Sequence, residues 1–131
     1  MHRIEINTRD KVEFLDVTGE IQRLISNSTI NNGICYIFVP HTTAGITLNE
    51  HADPDVTRDI INRLSVVVPD KADYRHVEGN SQAHIKASLM GHSKVVFVEN
   101  RKLVLGTWQG IFFCEFDGPR RRQILVKIIS G

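Results

Sequence analysis

Residues 94–129 have the sequence KVVFVENRKLVLGTWQGIFFCEFDGPRRRQILVKII and set the fold class. The stretch contains four runs of mainly β-branched, aromatic and other apolar residues: Lys94–Glu99, Lys102–Leu105, Ile111–Phe116 and Gln123–Ile129. Turn-forming residues lie between the runs, among them Asp117-Gly118-Pro119. Strand-like runs that alternate with turns are typical of antiparallel hairpins. We therefore expect the chain to end in an antiparallel meander.

Four further strands are indicated upstream: Arg3–Ile6, Val12–Leu15, Ile34–Val39 and Ile46–Glu50. The run Ile34–Val39 is short and almost entirely apolar, which predicts a central strand covered on both faces. Pro40 ends this strand because a proline cannot donate to a β-ladder. Val66–Val68 is compatible with one more short strand.

Helix signals occur at three places between these strands. Thr18 is the expected N-cap of a helix over about Gly19–Ser28. Asp53-Pro54-Asp55 combines a capping carboxylate with a proline at the first helical position. Asn80 or Ser81 begins a third helix, which runs through Met90 and ends at Gly91. The elements together predict an α+β fold, mostly antiparallel, with two or three short helices.

The composition indicates one ordinary globular domain over residues 1–131. Hydrophobic residues make up 41% and charged residues 24%, and the formal net charge is +1. This near-neutral charge gives no general attraction to nucleic acid or to a membrane, and no apolar run approaches the roughly 20 residues of a membrane helix. The first five residues show no apolar stretch of the kind expected in a secretory signal, and Cys35 and Cys114 lie in apolar segments, so we expect buried thiols in a cytoplasmic protein.

Three of the six histidines lie in or beside irregular polar segments: His41, His76 and His84. Convergence of three imidazoles with an open fourth position would create a catalytic divalent-metal site. Their spacing matches no metal motif, however. Asn80 and His84 share a helix face with Ala83 and Ala87, and a buried structural histidine in a tightly packed helix explains that pattern equally well.

Asp117-Gly118-Pro119 is followed by three arginines, Arg120–Arg122. Strand alternation places Arg120 and Arg122 on one face, where two guanidinium groups could bind a phosphate. The simpler alternative is a hairpin turn whose arginines only keep this end of the sheet soluble. The patch contains no interleaved aromatic residues, and we expect no nucleic-acid partner.

Several longer motifs carry a resemblance to a known family. They are His41-Thr42-Thr43-Ala44, Asn49–Val56, Arg75–Lys86, Leu105–Ile111 and Glu115–Arg120. In these motifs the chain resembles the YjbQ family, whose members carry the label secondary thiamine-phosphate synthase. The resemblance implies a β-sandwich-like α+β subunit, a homotrimer, and a polar pocket that binds a metal or an anion. The matching site positions are His41, Glu50, Asp53, His76, Asn80, His84, Lys86, Trp108, Gln109 and Arg120.

The function that the resemblance implies is a weak thiamine-phosphate synthase, a transferase that joins a hydroxymethylpyrimidine diphosphate to a thiazole phosphate. His41, His76 and His84 would bind a divalent metal, zinc or magnesium, or the phosphate itself. Lys86 and Arg120 would act as phosphate cations, and Glu50 or Asp53 as a ligand or base.

Asn80, Trp108 and Gln109 would contact the substrate, although Trp108 could equally be a packed strand aromatic and Asp53 only a helix cap. The alternatives are a non-enzymatic trimer that binds a small phosphorylated metabolite, and a metal-dependent hydrolase.

Overall fold

The computed structural model describes residues 1–131. It contains eight strands, which are β1 His2–Asn7, β2 Glu13–Asp16, β3 Gly33–Phe38, β4 Ala44–Glu50, β5 Ser93–Glu99, β6 Lys102–Leu103, β7 Gln109–Glu115 and β8 Arg121–Ser130. Its three helices are α1 Thr18–Ser26, α2 Pro54–Val67 and α3 Ser81–Met90. None of the three combines the length and apolar composition needed to cross a lipid bilayer.

The strands form two sheets, and every strand pair is antiparallel. The larger sheet has the order β1-β8-β3-β5-β6, and the smaller has the order β2-β7-β4. Apolar residues of both sheets fill the space between them, including Ile37, Val126, Ile46 and Phe113. The predicted α+β class with sandwich-like sheets is therefore confirmed.

Strand β7 is covered on both faces. Ile111 and Phe113 point into the core between the sheets. Phe112, Cys114 and Phe116 pack on the other side, against Ala83 and Ala87 of α3. The prediction that Ile34–Val39 is covered on both faces is wrong for the single chain. Strand β3 is central in its sheet, but Tyr36 and Phe38 on its outer face are exposed.

Two local predictions also need correction. Val17, and not Thr18, is the N-cap of α1, because the Thr18 hydroxyl donates to Asp16 Oδ1 at 2.6 Å and accepts from Ile111 N–H at 2.8 Å. Residues 66–67 continue α2 and do not form a strand. The predicted cap of α2 is confirmed, since Asp53 Oδ1 accepts from Asp55 N–H at 2.9 Å.

The turn Asp117-Gly118-Pro119 carries the chain from one sheet to the other. It links β7 of the smaller sheet to β8 of the larger one, and the Gly118–Pro119 peptide is cis. The expected terminal meander is therefore wrong: of the last four strands, only β5 and β6 form a hairpin. This crossing places Arg120 and Arg122 beside the start of β4 and the segment that precedes it.

Candidate functional site

The three histidines singled out by sequence line one open pocket of about 450 Å³. His41 lies between β3 and β4, His76 in the loop before α3, and His84 on α3. Apart from Pro40, all of its lining residues are polar or charged, and we call it the histidine pocket. Its other lining residues are Pro40, Thr42, Thr43, Glu78, Asn80, Asp117, Arg120 and Arg122. Its volume lies within the range of small-molecule sites.

His76 and His84 form an edge-to-face pair. Their ring centroids are 5.3 Å apart and the ring planes are inclined at 87°. The nitrogen atoms of both rings are free of hydrogen bonds to protein groups, in contrast to those of His41 and His51. The pair can therefore donate to, or accept from, a ligand in the pocket.

His41 is held in one tautomer by a backbone contact. Its Nε2 accepts from Gln123 N–H at 3.0 Å, so the ring proton of the neutral imidazole lies on Nδ1. Burial lowers the pKa of His41, and the nearby Arg122 charge lowers it further. His41 is consequently a neutral hydrogen-bond donor near pH 7.

Arg122 lines the pocket and forms a buried ion pair with Glu115. Arg122 Nε donates to Glu115 Oε1 at 2.9 Å, and Arg122 Nη2 donates to Thr43 Oγ1 at 2.8 Å. Glu115 also accepts from Thr8 Oγ1 at 2.7 Å. Burial alone would raise the pKa of Glu115, but these hydrogen bonds and the Arg122 charge hold it below its usual value.

Asp117 links Asn80 to Arg120 in the lining of the pocket. Asp117 Oδ2 accepts from Asn80 Nδ2 at 2.8 Å and from Arg120 Nη2 at 3.0 Å. Asn80 Nδ2 also donates to Glu78 Oε2 at 2.9 Å. The guanidinium groups of Arg120 and Arg122 each have an Nη1 that forms no hydrogen bond within the protein. Both arginines are thus fixed by carboxylates, with donor capacity left for a ligand.

Four other predicted site residues lie at the far end of the smaller sheet: Glu50, Asp53, Trp108 and Gln109. Glu50 and Gln109 pair across β4 and β7, whereas Ala44 and Glu115 pair at the pocket end. The seven residues of β4 span about 20 Å. Trp108 is 62% exposed there. A single chain therefore does not bring these four residues to the histidine pocket.

Lys86 also lies outside the histidine pocket. It is only 2% exposed within α3, and burial lowers its pKa.

Sequence reasoning missed three residues of the pocket region, which are Glu78, Glu115 and Asp117. It also missed that Arg122 is the buried partner of Glu115. Glu115 was detectable, since it is the single charged residue in the apolar run Ile111–Phe116 and such a residue needs a partner.

The fit of a metal ion can be judged from the donor set. No group of three or more His, Cys, Asp or Glu side chains is arranged to hold a metal ion in the chain. His41 Nε2 is already occupied by Gln123 N–H. The three imidazoles share the pocket without forming a three-ligand site.

Comparison with known proteins extends over the whole chain. The family described as UPF0047 protein YjbQ-like matches residues 2–131. UPF0047 protein MJ1081 of Methanocaldococcus jannaschii is 54% identical over 130 residues, covering 99% of this chain and 94% of the relative. UPF0047 protein YugU of Bacillus subtilis is 48% identical, covering 97% of each chain.

Solved structures agree with the fold. A protein of the YjbQ/UPF0047 family from Clostridium acetobutylicum, described as uncharacterized, superposes with a TM-score of 0.97 at 54% identity, covering 98% of this chain and 100% of the other. A YbjQ-like protein from Sulfolobus solfataricus, described as of unknown function, gives 0.95 at 37% identity, covering 99% and 96%.

These relatives overturn one functional expectation. Their descriptions assign no activity, and the Sulfolobus protein is described as of unknown function. Nothing among them supports a thiamine-phosphate synthase or another transferase. The predicted synthase-type enzyme is therefore wrong, and the comparisons point to a family of unknown function.

Proposed function

The chain belongs to the UPF0047 YjbQ-like family, and we propose that its histidine pocket binds the phosphate group of a small metabolite. The observation that carries the proposal is the convergence of three imidazoles and two guanidinium groups on one pocket that is lined almost entirely by polar and charged residues. The donors left free are of the kind that binds oxyanions: His41 Nδ1–H, the rings of His76 and His84, and the Nη1 groups of the arginines.

The charges of the pocket predict how the anion binds. Asp117 and Glu115 neutralise Arg120 and Arg122, and Glu78 adds one more negative charge. The pocket therefore attracts an anion through directed hydrogen bonds from its imidazole and guanidinium groups and not through an excess of positive charge.

Calorimetric titration with sulfate and inorganic phosphate tests the proposal. Sulfate keeps its charge between pH 6 and 8, so its affinity does not depend on protonation of the ligand. We expect His84→Ala and Arg120→Ala to weaken binding of both anions at least tenfold. His2→Ala removes an exposed imidazole on β1, outside the pocket, and should leave both affinities unchanged. Equal affinities in all four proteins would contradict the proposal.

A bound divalent ion, zinc or magnesium, stays a prediction, with His76 and His84 as the available imidazole ligands. The same titration after chelator treatment distinguishes the two modes of binding. Sulfate affinity that survives the chelator supports direct binding by imidazole and guanidinium groups. Affinity that returns only with added zinc or magnesium supports a metal.

We also propose that the protein is a homotrimer that associates through the outer face of the larger sheet. That face exposes Tyr36, Phe38, Val95, Phe97 and Ile129 on three adjacent strands. A contiguous apolar face of this kind usually marks an interaction surface.

A cytoplasmic location is part of the proposal, supported by two cysteines that are buried and unpaired.

A further inference from the structure

His76 and His84 line a second cavity as well as the histidine pocket. This cavity, here the side cavity, has a volume of about 390 Å³. Its other lining residues are Asp73, Tyr74, Arg75, Ser81 and Ile85. We infer that the side cavity holds the carbon body of an organic phosphomonoester whose phosphate lies in the histidine pocket. The inference rests on the proposed function and identifies the class of ligand.

The two cavities differ in their chemistry. Apart from Pro40, the histidine pocket is lined by polar and charged residues, whereas Tyr74 and Ile85 give the side cavity a larger apolar surface. Ile85 is 40% exposed, so it offers surface that a ligand would cover. The phosphate group suits the first cavity and a ring-sized carbon group suits the second.

The side cavity lies between α3 and the irregular segment 73–76. Ser81, His84 and Ile85 lie on one face of α3, because residues three and four positions apart are neighbours on a helix. The Tyr74 hydroxyl donates to Pro69 O at 2.5 Å, which fixes the ring. Asp73 and Arg75 form no ion pair within the chain and can bind polar substituents of the ligand.

The shared wall determines how the ligand lies. Since the edge-to-face rings of His76 and His84 contribute to both cavities, a molecule that occupies both must pass beside them. The bond between phosphate and carbon body then lies next to the two imidazoles. An inorganic anion would use only the histidine pocket and leave the side cavity empty.

Three probes measured on the intact protein test the inference: inorganic phosphate, methyl phosphate and phenyl phosphate. Both are phosphate monoesters, and they differ in the size and the aromatic character of the carbon group. We expect phenyl phosphate to bind about tenfold more tightly than methyl phosphate, because the ring buries apolar surface against Tyr74 and Ile85.

The variant Ile85→Ala should reduce that tenfold advantage to less than threefold, with inorganic phosphate affinity unchanged. Leu89→Ala is the matched control: it removes an exposed leucine one turn further along α3 that does not line the cavity. Both substitutions introduce alanine, the strongest helix former, so neither weakens the helix propensity of α3.

The outcomes separate the two proposals. If the wild type binds none of the probes, the proposed function fails and the inference fails with it. If it binds inorganic phosphate, but methyl and phenyl phosphate bind equally, only the inference fails. A loss of the phenyl advantage in Leu89→Ala as large as in Ile85→Ala also overturns it.

Discussion

Glu115 and Arg122 belong to different sheets and form a buried ion pair at the edge of the histidine pocket. Glu115 ends β7 and Arg122 follows the first residue of β8. Arg122 Nη2 approaches Glu115 Oε2 at 2.5 Å, and the two side chains are 6% and 0% exposed. The carboxylate also accepts from the N–H groups of Phe116 and Asp117, both at 3.1 Å. One residue thus anchors Arg122 and the turn that carries Asp117.

Loss of the negative charge at Glu115 should destabilise the protein strongly. Glu115→Gln leaves the Arg122 guanidinium buried without its anion, which costs about 3–5 kcal/mol of unfolding free energy. Urea denaturation measures the loss. Glu20→Gln, on the exposed surface of α1, should change stability by no more than about 0.5 kcal/mol. The double variant Glu115→Leu/Arg122→Met should lose less than Glu115→Gln, since no uncompensated charge remains.

The same carboxylate should make stability depend on pH in the acid range. Because the pKa of Glu115 is lower in the folded chain than its ordinary value of 4.5, the unfolded chain takes up the proton first as the pH falls. Its stabilising contribution is complete above pH 4.5 and is lost as the pH falls through the folded value. The unfolding free energy of the wild type, measured from pH 7 to pH 3, should show this decrease. The Glu115→Gln variant should lack the part of the decrease that comes from Glu115.

His41 should titrate below its ordinary value and stay in one tautomer. Long-range ¹H–¹⁵N NMR spectra should show a neutral ring with the proton on Nδ1, because Gln123 N–H occupies Nε2. Since the pKa is lowered in the folded chain, the unfolded chain binds the proton first, and stability decreases as the pH falls below about 6.5. A His41 ring protonated on Nε2 at neutral pH would disprove the assignment.

Asp53 should behave as a helix cap and not as a pocket residue. Asp53→Ala removes the acceptor for Asp55 N–H and should cost about 1 kcal/mol of stability. Sulfate affinity should not change, because Asp53 lies at the far end of the smaller sheet. Asp53→Asn keeps a capping oxygen and should recover most of the stability. A tenfold loss of sulfate affinity in Asp53→Ala would show that another subunit brings Asp53 to the pocket.

The outer face of the larger sheet should control association. Phe97→Asp places a charge in the exposed apolar face and should convert the proposed trimer to monomers at micromolar concentration, as measured by sedimentation. Val67→Asp provides a matched control, since Phe97 and Val67 are both 63% exposed but Val67 lies on α2. A wild-type protein that sediments as a monomer would refute the proposed assembly.

Local sequence signals predicted the helices and strands better than they predicted which of these elements pack against each other. The Asp53-Pro54 start of α2 and the Gly91 stop of α3 depend on neighbouring residues and were predicted correctly. The covering of β7 on both faces depends on a helix that precedes it by nearly twenty residues. An apolar run alone could not distinguish β7, which α3 covers, from β3, whose outer face is exposed in the single chain.

The residues of the candidate site were also predicted better than their positions in space. Sequence reasoning singled out His41, His76 and His84 because each lies in or beside an irregular polar segment, and the three line one pocket. Motif resemblance could not tell that Glu50 and Trp108 lie at the opposite end of β4 and β7, because a motif carries no direction in space. The Glu115–Arg122 pair was missed for a related reason: the turn between them was expected to form a hairpin, whereas it crosses between sheets.

Cys114 lies directly beneath α3, packed with Ala83 and Ala87 and fully shielded from solvent. Burial raises the pKa of its thiol, so it is unreactive while the helix stays in place. The rate at which a thiol reagent modifies Cys114 therefore measures how often α3 detaches. Since α3 carries His84, the chain contains an intrinsic reporter of pocket integrity, and an occupied pocket should slow that labelling reaction.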